Sequence, residues 1–322
     1  MNALSTTLPA LYATIAPIFF VVAAGFAVRK GGVLTADGFR TLAAYVATVA
    51  APAMVFHAIA TSAPGALGQP GYLAGYTLGS MGAFVLCYAG LRWATHTRGP
   101  VLAFGALGGS FGNSLMVGYP LAVLLYGEAA SIALALTLLV EVAVVLPMAL
   151  TLADVGRPRA PGERHPAAVN ALAIARNPLF GAMVLGALVA WGELRLPQPV
   201  DDGLALLART VAPVGLFVIG GLIVGYTAAG DGRRQAIVVP GKLLVHPVAV
   251  CLALLAFGVT DPALIGPALC FAASPIFGAY AAISQRYGIA RESAAVMIAT
   301  TVCAAATLPL VLWLIGAALT TP

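Results

Sequence analysis

Charge is what this 322-residue chain has least of. Only 8 % of its residues are charged, and 61 % are hydrophobic. Soluble globular domains carry about 25 % charged residues, enough to cover a wetted surface. A water-soluble fold is therefore excluded, and the chain reads as a polytopic membrane protein. It also lacks short alternating segments of apolar and polar residues. Lipid leaves backbone polar groups unsatisfied, so only helices or closed barrels span it. The long unbroken apolar runs select helices over a barrel. There is no basic patch with interleaved aromatics, so the net charge of +5 does not mark a nucleic-acid partner. The four cysteines, Cys87, Cys251, Cys270 and Cys303, lie inside apolar runs without metal-ligand spacing, and read as small core residues. No H-E-x-x-H, phosphate-binding loop or dinucleotide fingerprint occurs, which argues against an ATP-driven pump. No cofactor is expected. No basic residue precedes the first apolar run, so the N-terminus does not read as a cleaved signal peptide.

What is there is a series of apolar spans of about 20 residues, the length that crosses a bilayer. Ten are legible, over 8–28, 41–60, 72–93, 101–126, 131–152, 178–193, 203–227, 236–259, 262–285 and 293–317. The long polar connection, 153–177, sits at mid-chain. Basic residues alternate from one connection to the next. Thirteen of the sixteen lie at Arg29, Lys30, Arg40, Arg92, Arg98, Arg157, Arg159, Arg164, Arg176, Arg233, Arg234, Arg286 and Arg291. The intervening connections hold Glu128, Glu193, Asp201, Asp202 and Asp261 against Arg195. The positive-inside rule then puts both termini outside and 153–177 in the cytoplasm. Arginine dominating lysine, with abundant alanine and glycine, indicates a GC-rich bacterial genome and hence an inner membrane.

Shifting the chain by half its length superposes Pro17 on Pro178, Pro52 on Pro213, Tyr119 on Tyr280 and Tyr126 on Tyr287. Chance gives about 0.2 tyrosine coincidences, so an internal repeat is indicated. Five spans per copy is odd, so the second copy enters the membrane inverted. The expected fold is all-α: ten transmembrane helices in two inverted repeats of five, 1–152 and 178–322, joined by the 153–177 loop. That is the architecture of many secondary transporters.

Span four reads Gly105-Ala-Leu-Gly-Gly-Ser-Phe-Gly-Asn-Ser-Leu-Met-Val-Gly-Tyr-Pro120. Glycine unwinds cheaply and proline removes a backbone donor, so a break is expected over 113–119, with Pro120 opening the second half. The half-chain shift places Ser274-Pro275 of span nine on Asn113-Ser114. A matching break is expected there, with Ser274 as cap and Pro275 starting the second half-helix. Half-helix N-termini carry free N–H groups and a positive dipole end, suited to a carboxylate. The expected binding residues are Asn113, Ser114, Gly118, Tyr119, Pro120, Ser274, Pro275 and Ile276.

The run Asn113-Ser-Leu-Met-Val-Gly118-Tyr-Pro120, followed by Tyr126-Gly127-Glu128-Ala129, resembles the crossover segment of the auxin efflux carrier family. Ten spans, a central loop and the second break at Ser274-Pro275 agree with it along the whole chain. The resemblance implies that broken helices four and nine cross. It implies a transport domain of spans 3–5 and 8–10 on a scaffold of spans 1, 2, 6 and 7, elevator movement and a homodimer. One feature departs: the plant carriers are similar to a pattern with an acidic residue in span three, and Tyr72 to Trp93 has none.

Ionisable residues inside apolar spans are costly and mark function. Glu141 in span five and Lys242 and His246, one turn apart in span eight, are the candidates for coupling and charge. His57 and Arg209 lie near outer ends and read as interface residues. Gly108-Gly-Ser110-Phe-Gly112 fits G-x-S-x-G, but without its strand–turn–helix setting. The expected activity is secondary transport of a small organic anion, a mono- or dicarboxylate such as malonate or an auxin-like acid, with H+ or Na+ as coupling ion. A sodium/proton antiporter or sodium-coupled symporter shares the architecture. An intramembrane serine protease is the reading from another class.

Overall fold

The structure is a computed structural model that describes residues 8–62, 68–127, 129–155, 172, 175–224 and 230–320. Glu128, most of the mid-chain connection and the extreme termini lie outside the described residues. The described chain is helical, without a strand. Its helices are α1 (Leu8–Lys30), α2 (Ala36–Ala60), α3 (Pro70–Ala94), α4 (Gly99–Gly108), α5 (Ser114–Tyr126), α6 (Ala129–Asp154) and α7 (Pro178–Trp191). They continue as α8 (Gln198–Ile223), α9 (Gly232–Ala256), α10 (Pro262–Ala273), α11 (Tyr280–Ser284) and α12 (Ala290–Thr320). Among the described residues six helical runs, α2, α3, α6, α8, α9 and most of α12, are long and apolar enough to cross a membrane. The helices α4, α5, α7 and α10 are apolar but shorter.

The molecule buries a small polar cluster within an apolar core and turns further apolar side chains outward. Phe20, Leu78, Val85, Leu86 and Val302 are exposed, while Asn113, Glu141, Lys242, His246 and Ser274 are buried. That is the distribution a lipid solvent selects, since polar groups in hydrocarbon must find partners within the protein. Trp93 and Trp191 are exposed at the C-terminal ends of α3 and α7, the places where amphipathic rings meet headgroups.

Proline sets the local shape of four helices. A proline lacks an N–H and its ring clashes with the carbonyl four residues back. Ahead of Pro52, Pro120, Pro147 and Pro247 the chain widens by one residue into a π turn. The residue just before each proline donates to the carbonyl five back: Ala51 to Val46, Tyr119 to Ser114, Leu146 to Glu141 and His246 to Gly241. Such bulges concentrate at functional sites. Ser114, Glu141 and Lys242 all sit on these turns.

The helices α3 and α9 lie face to face with almost no space between backbones. A Cβ on Gly79 would stand 2.5 Å from the Val250 Cα. This contact brings the α3 side chains against Lys242 and His246. The helix α10 packs against α5, α6 and α9 and so lies at the centre of the polar core.

Candidate functional site

Two helical runs are interrupted at depth. The first unwinds between α4 and α5, over Gly109 to Asn113. The second unwinds between α10 and α11, over Ser274 to Ala279. The two unwound stretches meet. Gly112 and Ile276 form an isolated antiparallel bridge, and the Asn113 N–H donates to the Pro275 carbonyl at 2.6 Å. The Ile276 N–H reaches Thr300 Oγ1 of α12 at 3.4 Å. Each break thus satisfies backbone groups that a helix would have satisfied internally.

The local chemistry corrects the sequence reading in three places. The first break lies before Ser114, because the stretch 114–118 stays helical as a π turn. Pro275 does not open a half-helix. It remains unwound, its carbonyl holding Asn113, and α11 begins at Tyr280. Ser274 caps backwards: its hydroxyl donates to the Phe271 carbonyl at 2.7 Å at the end of α10. The Gly118 and Ile276 amides, expected to cradle a carboxylate, are also engaged. The Gly118 N–H donates to the Asn113 carbonyl, and Ile276 is bonded as above. The Asn113 side chain caps α5, its Oδ1 accepting from the Met116 N–H at 3.2 Å. Tyr119 pairs with Ser131 at 3.0 Å, and Pro120 follows the π turn inside α5 and does not open the half-helix, which starts at Ser114.

The ionisable candidates converge on these breaks. Glu141 Oε1 accepts from the Ser114 hydroxyl at 2.7 Å, the Gly112 N–H at 3.4 Å and the Tyr76 hydroxyl at 3.5 Å. A carboxylate therefore sits at the N-terminus of α5, where unpaired N–H groups favour negative charge. Lys242 donates to the Ala272 carbonyl in the last turn of α10, where unpaired carbonyls favour positive charge. Its Nζ also lies 2.9 Å from His246 Nδ1, and His246 Nε2 lies 3.0 Å from Ser80 Oγ. Glu141, Lys242, His246 and Ser80 are fully buried. Glu141 and Lys242 act on one another electrostatically. Gly112 stands beside both: its N–H faces Glu141, and a Cβ there would lie 3.3 Å from Lys242 Nζ.

The sequence reading missed the stripe Tyr72, Tyr76 and Ser80. These recur every four residues on one face of α3 and bond Thr137 at 2.7 Å, Glu141 and His246 in turn. That spacing of hydroxyls in an apolar span was the available signal. His57 stands apart from the breaks, 3.0 Å from Asp201, and Arg209 is exposed. Ser110 of the G-x-S-x-G pattern donates to its own helix at Ala106, at 3.1 Å. The serine that does meet a histidine, Ser80, faces an imidazole whose other nitrogen is held by an ammonium. A general base needs an acid there instead.

Two cavities adjoin the breaks. One of about 40 Å³ is lined by Asn113, Ile276, Gly278 and Thr301. A second, of about 130 Å³, is lined by Ile18, Val117, Leu121, Leu216 and Pro275. Both share Ile219, Ile223 and Thr301.

A family profile described as "Membrane transport protein" matches residues 10–312. The chain belongs to the auxin efflux carrier family. The chain is also 32 % identical over 212 residues to the protein named "Putative malonate transporter" of Rhizobium meliloti (strain 1021). That match spans 64 % of the carrier and 65 % of the relative's length. Membership in a membrane transport family, with several apolar helices of spanning length, makes it a multi-pass membrane protein.

Proposed function

We propose that this carrier is a secondary active transporter of a small carboxylate, driven by protons, with the crossing of the two breaks as its binding site. The observation that carries the reading is a buried acid and a buried base at the two breaks, each on a dipole end of matching preference. Glu141 already supplies the negative charge that the α5 N-terminus favours. A substrate carboxylate approaching Asn113 would meet that charge. Protonation of Glu141 removes it and leaves the α5 dipole and the Lys242 ammonium facing the anion. Proton and carboxylate then load together, and neither is stable alone in a dry site.

The remaining architecture follows as part of the proposal. Ten spans form two inverted repeats of five, α4–α5 and α10–α11 counting as one interrupted span each. Both termini face outside, and 153–177 is cytoplasmic. Spans 3–5 and 8–10 move as a transport domain against spans 1, 2, 6 and 7, in a homodimer in a bacterial inner membrane. The cavities support this division, because Ile219 and Ile223 of α8 face Asn113 and Pro275 across open space. The name of the Rhizobium relative supports a short dicarboxylate such as malonate among the substrates.

Reconstituted carrier, loaded with labelled malonate or a monocarboxylate, tests the reading. Accumulation that needs an imposed proton gradient is expected. Accumulation that follows a sodium gradient with protons clamped would make it a sodium-coupled symporter. Sodium-driven proton movement without any carboxylate would make it an antiporter.

A further inference from the structure

We infer that His246, oriented by Ser80, is a positioning residue that keeps Lys242 away from Glu141, so that the acid stays available for protonation. This rests on the proton-coupled reading above.

The two charges share one dry site, yet among the described residues no ion pair of 4.0 Å or less joins them. Opposite charges attract strongly where water is absent, so something must hold them apart. For Lys242 the restraints are the Ala272 carbonyl and His246 Nδ1. An ammonium only donates. Nδ1 must then accept, Nε2 must carry the hydrogen, and Ser80 Oγ receives it. The ring is further fixed by the Tyr76 edge, with centroids 6.2 Å apart at 78°. Ser80 and Tyr76 are themselves placed by the close approach of α3 to α9 at Gly79. One face of α3 thus grips both members of the pair: Tyr76 bonds Glu141, and Ser80 holds Lys242 through His246.

Without the imidazole the ammonium loses one of its two acceptors. Glu141 Oε2 is buried and has no hydrogen bond among the described residues. It is the acceptor to which Lys242 would turn. A carboxylate locked to an ammonium does not take up a proton, and an ammonium locked to a carboxylate does not receive an anion. Both halves of the cycle then stop.

The test compares His246→Leu, His246→Asn and the double variant His246→Leu/Glu141→Gln in proteoliposomes, by exchange of labelled carboxylate. His246→Leu is expected to cut exchange at least about tenfold. His246→Asn, whose Oδ1 offers an acceptor near the Nδ1 position, should retain most of it. The double variant should regain exchange, because glutamine cannot trap Lys242. A merely structural histidine would not be rescued by a change at Glu141. Ser80→Ala, a smaller perturbation, should behave as a weaker His246→Leu with the same rescue. Should the leucine variant not fold, Ser80→Ala with and without Glu141→Gln decides alone.

A second measurement needs no substrate. The non-additivity of Glu141→Gln and Lys242→Met in thermal unfolding should grow by about 3 °C or more on adding His246→Leu or Ser80→Ala. Equal non-additivity in both backgrounds, or a double variant as inactive as its parent, overturns the inference. If the wild type moves no carboxylate, the transport reading fails and the unfolding cycle still decides this one.

Discussion

Replacing Gly112 by alanine places a methyl group inside the contact between the two breaks. That Cβ would lie 2.5 Å from the Phe271 carbonyl oxygen, 2.7 Å from Ser274 Oγ and 3.3 Å from Lys242 Nζ. Comfortable carbon contacts begin near about 3.5 Å, so the chains must part by about 1 Å. The first obstacle is backbone and cannot swing aside; the second is the Ser274 hydroxyl, which can turn only by giving up its bond to the Phe271 carbonyl. Overpacking of this kind costs about 1–3 kcal/mol. Separation also stretches the Asn113–Pro275 bond of 2.6 Å and the Gly112–Glu141 bond of 3.4 Å, adding about 1 kcal/mol. The total, about 2–4 kcal/mol, corresponds to a fall in Tm of roughly 3–6 °C for a chain of this length. Gly82, in the body of α3 with nothing within 4 Å of its Cβ position, is the control. Gly82→Ala should be neutral or stabilising by about 0.5–1 kcal/mol, because alanine loses less entropy in a helix. Thermal unfolding of both variants in detergent, followed by uptake in proteoliposomes, makes the comparison. A Gly112→Ala carrier with wild-type Tm and uptake would refute the claim that the breaks touch as described.

Glu141→Gln mimics the protonated acid, so it should abolish gradient-driven accumulation while sparing exchange of bound carboxylate; unchanged accumulation would make Glu141 structural. Asn113→Asp keeps an oxygen to cap α5 but adds negative charge beside the cavity, and should weaken anion affinity at least about tenfold with little loss of Tm. Asn113→Ala should lose about 1 kcal/mol of stability by uncapping α5, and a lowered Tm without any change in affinity would place the substrate elsewhere. For topology, Gly65→Cys should react with a membrane-impermeant thiol reagent from the periplasm and Ala160→Cys should not; labelling of Ala160→Cys in intact cells would overturn the inverted-repeat proposal.

The membrane class and the positions of the helices were decided by composition and local pattern. Apolar runs of spanning length force helices, because the backbone must satisfy itself in lipid. Glycine clusters and the paired Asn113-Ser114 and Ser274-Pro275 marked where helices fail, because those residues act on the backbone next to them. Glu141 and Lys242 were visible as charges whose burial needs a reason. The π turns were legible in principle, since each precedes a proline by a fixed spacing.

Pairing across the fold was not legible. That Asn113 caps its own helix, that Pro275 stays unwound to receive its N–H, and that Ser274 turns back to Phe271 depend on which chain lies opposite. The charges show the same limit. The sequence named Glu141 and Lys242, and only the tertiary structure set one against the start of α5 and the other against the end of α10. Tyr76 and Ser80 looked like ordinary polar residues of an apolar helix until the contact at Gly79 fixed the helix positions. The reason is physical. Lipid solvation and backbone strain act on a residue through its immediate neighbours. A hydrogen-bond partner is a matter of three-dimensional distance, and here the partners lie from 3 to 166 residues apart.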